Sequence, residues 1–189
     1  MKKLLILAAT AVVAGAVAPA ASAFWYHEGS PITSDTTVHF TGTTYYSGNS
    51  GILHCPEITA TILFTAESTV GHFEEFTTVN PVSCDVMGGL AVLAGGTNSL
   101  ASTQFTKGTV EIKGDQLNMF DFEIHYTFKN GLKQTLKTTG TEAVKFTPDN
   151  ASAISHLNFL GNFDNSLGEV MKWGGSLTPT QQGAYGLTL

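Results

Sequence analysis

Few residues in this chain are of a type and spacing that does chemistry. Cys55 and Cys84 are its only thiols, and their separation is nothing like the Cys-x-x-Cys of a redox pair. His27, His39, His54, His72, His125 and His156 are scattered. No two stand at i,i+2 or i,i+4, so a zinc site would have to be assembled across strands. His54 beside Cys55 suggests a metal pair only while that cysteine is reduced. The dense carboxylates are Glu74-Glu75 and the Asp121/Glu123 pair. The latter sits two apart on the outward face of a strand and reads as a solvated surface. There is no calcium-loop pattern, and nothing nominates two carboxylates facing each other across a cleft. Nucleophile elbow, P-loop and dinucleotide fingerprints are absent. Among the aromatics, Trp25 and Trp173 read as core. Tyr45 and Tyr46 are the candidate ligand-facing pair, because adjacent strand residues point to opposite faces and one of them is left to stack on a sugar or an apolar ligand. The expectation is a non-enzymatic protein with no catalytic set, no metal site and no cofactor.

The compartment follows from the first residues. Lys2-Lys3, the apolar run from Leu4 to Val17 and the small residues Ala21-Ser22-Ala23 form a secretory signal with cleavage expected between Ala23 and Phe24. A membrane anchor is the alternative. It is disfavoured by Gly15 and Pro19, which break the run, and by the lack of a positive stop-transfer group. The residue directly after the cleavage point is Phe24 and not a cysteine, which excludes a lipoprotein. Residues 1–23 are thus read as signal and 24–189 as one domain. The short leader has a bacterial, Sec-type character, so the protein is expected in the periplasm, at the cell surface or in the medium. In that setting Cys55 and Cys84 are expected to pair, with free thiols the alternative. A loop of this size stabilises by roughly 3.5 kcal/mol in the chain-entropy account. Arginine is absent and the formal net charge is -6, which argues against nucleic acid and anionic membrane surfaces as partners. No later segment is long enough for a transmembrane helix.

The elements that position these residues are strands. Thr36 to Tyr46 is β-branched and aromatic, and Ser47-Gly48-Asn49-Ser50-Gly51 is a turn cluster. Ile58, Ala60, Ile62 and Phe64 share one face, with Thr59 and Thr61 on the other. Pro56 belongs at a strand end or edge. Val70-Gly71-His72 reads as a turn, and Phe73 to Val79 as a strand with Phe73 and Phe76 on opposite sides. Met87 to Gly96 is apolar between glycine pairs and is assigned to strand over short helix. Phe120, Phe122, Ile124, Tyr126 and Phe128 form the inner face of the clearest strand. Asn130-Gly131 then turns the chain; a three-residue loop sets Phe128 opposite Leu132 and Ile124 opposite Leu136, bringing like faces together. Ala151 to Leu160 suits a short helix or irregular connector, Glu169 to Trp173 a late strand, and Tyr185 to Leu189 a last one.

The signal segment, the Phe40-Thr41-Gly42-Thr43-Thr44 strand, the glycine-rich turn, Cys55 leading into Thr59 to Phe64, and Cys84 some thirty residues on together resemble the PraB-type family of small secreted proteins, named for activation of alkane oxidation. The resemblance covers about Phe40 to Gly96. Where family members carry Leu-Pro-Trp after the second cysteine, this chain reads Asp85-Val86-Met87-Gly88-Gly89-Leu90. The resemblance implies a secreted or surface-associated, non-enzymatic β-protein linked to growth on hydrophobic substrates or to biofilm matrix, with Cys55 and Cys84 structural. The fold expected is a single antiparallel β-sandwich. The function expected is adhesion, matrix or contact with hydrophobic material, with cell-surface or matrix components as partners and self-association open. A small outer-membrane β-barrel, a carbohydrate- or ligand-binding sandwich and a pilus or coat subunit are the alternatives.

Overall fold

The computed structural model describes residues 25–93, 100–113, 116–138, 144–148, 154–181 and 185–187. The expected signal segment lies outside them. The chain enters through two short strands, β1 (Trp25–His27) and β2 (Ser30–Pro31). Three longer ones follow, β3 (Thr36–Gly48), β4 (Gly51–Phe64) and β5 (Val70–Thr78). A 3-10 turn (Pro81–Ser83), the short β6 (Asp85–Met87) and a single helical turn, α1 (Gly89–Leu93), interrupt the meander. It resumes with β7 (Leu100–Lys113), β8 (Gln116–Phe128), β9 (Lys133–Lys137) and β10 (Val144–Pro148). It ends with β11 (Leu157–Asn165), β12 (Val170–Pro179) and β13 (Tyr185–Leu187).

The expected two-sheet sandwich is not what forms. Each long strand pairs antiparallel with its chain neighbour, and β12 returns to pair with β3 from Lys172↔Ser47 to Pro179↔Phe40. The sheet therefore closes into an eight-stave barrel. One stave is shared: β10 meets β8 at its Leu117–Met119 end, and β9 meets it from Glu123 to Thr127. Closure removes the two edges that a sandwich would have left at β3 and β12. Glycine makes the seam possible. A Cβ on Gly42 would collide with the Ser176 carbonyl, and one on Gly175 with the Thr43 carbonyl.

Apolar side chains point inward. Val38, Phe40 and Tyr46 of β3 and Ile58, Ala60, Ile62 and Phe64 of β4 are buried, as alternation requires. In β8, Phe122, Ile124, Tyr126 and Phe128 are buried, but Met119 replaces Phe120 on the inner face. Asp121 has φ 50 and shifts the phase by one residue there, where β8 passes from β10 to β9. Phe73 and Phe76 were expected on opposite sides; both are buried. Thr61 pairs with Glu75 and Ile62 with Phe73, leaving Glu74 as the extra residue of a bulge. Val70-Gly71-His72 belongs to β5, not to a turn. The hairpin after β8 takes the expected register, with Ile124 opposite Leu136, Phe128 bonded to Leu132, and Gly131 at φ 84.

Both barrel ends are covered. At one, β1 pairs with β2 and β13, and the Trp25 ring stacks on Phe64 at 4.0 Å. At the other, Leu90 of α1 is buried, and its amide donates to the Ser50 carbonyl. The segment assigned to strand is thus helical from Gly89 to Leu93; what it supplies is a single buried plug, which one turn provides and a ladder strand would not. On that same end the Glu169 carboxylate accepts from the Ser50 amide at 2.9 Å and from the Asn165 amide group at 3.4 Å. Hydrogen bonding from Ser50 holds its carboxyl below the usual range, so this clasp between the β3–β4 and β11–β12 turns is strongest above that range.

Cys55 and Cys84 form the expected disulfide, with Cα atoms 4.2 Å apart. It lies where the stave made by β5 and β6 leaves the ladder. β4 pairs with β5 from Ile58 to Phe64 and with β6 from Ile52 to His54. Pro56 sits in the gap between the two partners, where no amide donor is needed.

Candidate functional site

The lumen is packed rather than open. Trp173 is its centre, with Tyr46, Phe76, Phe122, Phe159 and Phe163 rings all within 5.8 Å centroid to centroid. Its indole N–H donates to the Thr44 hydroxyl. Tyr46, one of the two aromatics expected to face a ligand, is wholly buried here, edge-on to Tyr126 at 5.3 Å. Among the described residues, neither phenol hydroxyl has a partner in good hydrogen-bond geometry. Burial pushes both phenols above their usual range.

The outward surface is not uniform. On the arc made by β7, β8 and β9 the outward groups include Lys107, Glu111, Glu123, His125, Thr135 and Lys137. There the Glu123 carboxylate meets His125 Nε2 at 2.9 Å, and His125 Nδ1 meets the Thr135 hydroxyl at 2.8 Å. A carboxylate, an imidazole and a hydroxyl in series are the parts of a nucleophile relay. Their origin is simpler. His125 lies directly opposite Thr135, and Glu123 is two residues away on the same face. His39 makes the same contact, at 3.1 Å, with Thr61, its own cross-strand partner. Histidine opposite threonine is thus a recurring cross-strand pair of this sheet. The ring and carboxylate are also open to water, at 37% and 26% exposure.

The other arc, from β11 through β12 and β3 to β4 and β6, carries most of the exposed large apolar side chains among the described residues; Val79 and Val82 lie off it, at the 3-10 turn. Tyr45, Ile52, Met87, Leu160 and Val170 are all exposed there, with Val92 of α1 beside them and Leu167 in the β11–β12 turn. Register makes this a band. Ile52 pairs with Met87, and Ser47 pairs with Ile52, so Tyr45 and Ile52 are diagonal neighbours. Leu160 and Tyr45 both pair with Gly174. That residue has no side chain to part them. A Cβ on Gly174 would lie 2.5 Å from the Tyr45 hydroxyl; the phenol therefore rests across the glycine. Tyr45, Leu160, Gly161, Asn162, Lys145 and Lys172 line a depression of ≈ 470 Å³. A second, of ≈ 270 Å³, adjoins it and shares Lys145 and Leu160.

Of the tyrosine pair, then, Tyr45 faces outward and Tyr46 inward, as alternation demands. Its neighbours were not found from sequence. Asn158 and Leu160 fall in a segment assigned to helix or connector, and there it is strand, which runs on through Asn162. Lys145, Lys172 and Gly174 become its neighbours only when the barrel closes. The late strand was assigned to Glu169 to Trp173, whereas β12 runs on through Gly174 and Gly175. Among the described residues, no three His, Cys, Asp or Glu are grouped to hold a metal. Comparison with protein-family models, with curated proteins and with solved structures returns no match. The geometry alone carries the functional reading.

Proposed function

We propose that this is an exported, non-catalytic β-barrel that attaches to hydrophobic material or to the apolar component of an extracellular matrix through the arc β11–β12–β3–β4–β6. The observation that carries it is the concentration of exposed large apolar side chains on or beside that arc among the described residues, Val79 and Val82 at the 3-10 turn being the two that lie off it, while β7–β9 present charged and hydroxyl groups. Contiguous apolar surface of this kind is unfavourable to leave in water and marks contact sites. The disulfide and the leader-like N-terminus support an oxidising compartment: periplasm, cell surface or medium. The closed barrel also matches the topology of the outer-membrane alternative. Its sidedness is the reverse of what lipid requires, since a membrane barrel turns its continuous apolar face outward and its polar face inward. Self-association as a matrix or coat subunit would use the same arc.

The test is partition of the mature protein between buffer and dispersed hexadecane. The wild type is expected to leave the aqueous phase. An Ile52→Thr/Met87→Thr/Leu160→Thr variant should stay behind, weakened more than ten-fold, since each aliphatic chain contributes about 1.5 kcal/mol or more when taken out of water. A Glu123→Thr/Lys137→Thr variant, altered on the charged arc, should partition like wild type. Equal behaviour of all three proteins would reject the proposal.

A further inference from the structure

We infer that the two adjoining depressions on the outside of β10, β11 and β12 form one groove that binds a carboxylated saccharide chain. The shape is elongated, because depressions of ≈ 470 and ≈ 270 Å³ meet at Lys145 and Leu160. The platform is apolar: Tyr45 lies over Gly174 in the space a Cβ would fill, with Leu160 beside it. Such a surface suits the C–H face of a sugar ring. Asn158 and Asn162 flank Leu160 on the same outward row of β11, each roughly 7 Å from it along the strand. Both side chains are exposed, so groups able to bond hydroxyls repeat along the groove.

Charge selects the ligand. Lys145 pairs with Leu160 from the β10 side, and Lys172 with Asn162 from the β12 side, so the two cations stand on opposite walls. Among the described residues no acidic one lines either depression, although the chain has 15 acidic residues against 9 basic ones. Neither lysine has an ion-pair partner among the described residues. A hydrocarbon would leave both lysines and the amides unused. A simple inorganic anion would leave Tyr45 and Leu160 unused. A sugar chain bearing carboxylates uses all of them. The groove shares Tyr45 and Leu160 with the proposed apolar arc but not its chemistry.

Calorimetric titration of the mature protein with a galacturonate tetramer tests this, with a glucose tetramer, acetate and dodecanoate as comparison ligands. Binding of the uronate tetramer is expected, with affinity that falls as salt is raised. Lys145→Gln and Lys172→Gln should each weaken it about ten-fold. Tyr45→Ala should weaken it at least as much and Tyr45→Phe little, all with unchanged melting temperature. Absence of uronate binding, equal binding of the glucose tetramer, preference for dodecanoate, or full affinity in the double lysine variant would each overturn the inference. Hexadecane partition of the double lysine variant should match wild type, which separates failure here from failure of the proposed function.

Discussion

Asp121 and Glu74 show how much a single residue decides in this chain. Each is inserted as one extra position in a strand, and each reverses which side chains face inward beyond it. Nothing in the local sequence marks them, because a bulge is chosen by what the strand must do against its partners. Alternation was therefore legible within β4 and most of β8, and failed at Phe120 and at Phe73 opposite Phe76. Tyr45 and Tyr46 were legible as a pair with opposite faces; which one turned outward was not. The inward one has a measurable consequence. Tyr46 and Tyr126 are buried, and burial raises both phenol pKa values above that of an unfolded tyrosine. A group whose folded pKa is raised gives its full stability below the unfolded value, about 10, and loses it as pH rises above that. The expected result of an absorbance titration is that these two of the five tyrosines ionise only together with unfolding. Smooth titration of all five with the fold intact would contradict the packed lumen.

Elements were read best where a turn has a chemical signature. Asn130-Gly131 set the β8–β9 register through one left-handed glycine, and β13 was marked by its alternating run. Elements whose identity depends on partners were missed. Residues 157–165 mix amides, glycine and aromatics without clean alternation, yet form β11 because β10 and β12 offer backbone partners on both sides. Gly89 to Leu93 forms a helical turn against glycine propensity because Leu90 must reach the barrel end. The disulfide belongs to this scale too. It fastens the 3-10 turn and β6 to β4, where Pro56 leaves the ladder open. Replacing both cysteines with alanine is expected to lower stability by about 3 kcal/mol in denaturant unfolding. β6 and α1 should exchange their amides faster, while β8 and β12 remain protected. Unchanged stability in the double variant would show that the bridge holds nothing the ladder does not already hold.

At the scale of the molecule, sandwich and barrel are built from the same alternating strands, and local pattern does not separate them. The difference is one ladder between β3 and β12, made by residues some 130 apart in the chain and visible in sequence only as glycines at 42, 174 and 175. The candidate site exists because of that ladder. It lays Tyr45 across Gly174 and brings Leu160 to its side. It sets Lys172 beside Ser47, next to Ile52, and joins the two ends of the apolar arc. Closure of the seam is therefore the claim on which the attachment surface and the saccharide groove both stand. Nuclear Overhauser contacts in the mature protein test it directly. Backbone contacts should link Tyr45 with Gly174 and Thr44 with Gly175, with slow amide exchange along both strands. Fast exchange on the outer sides of β3 and β12, with no contact between them, would leave an open sheet and contradict the account.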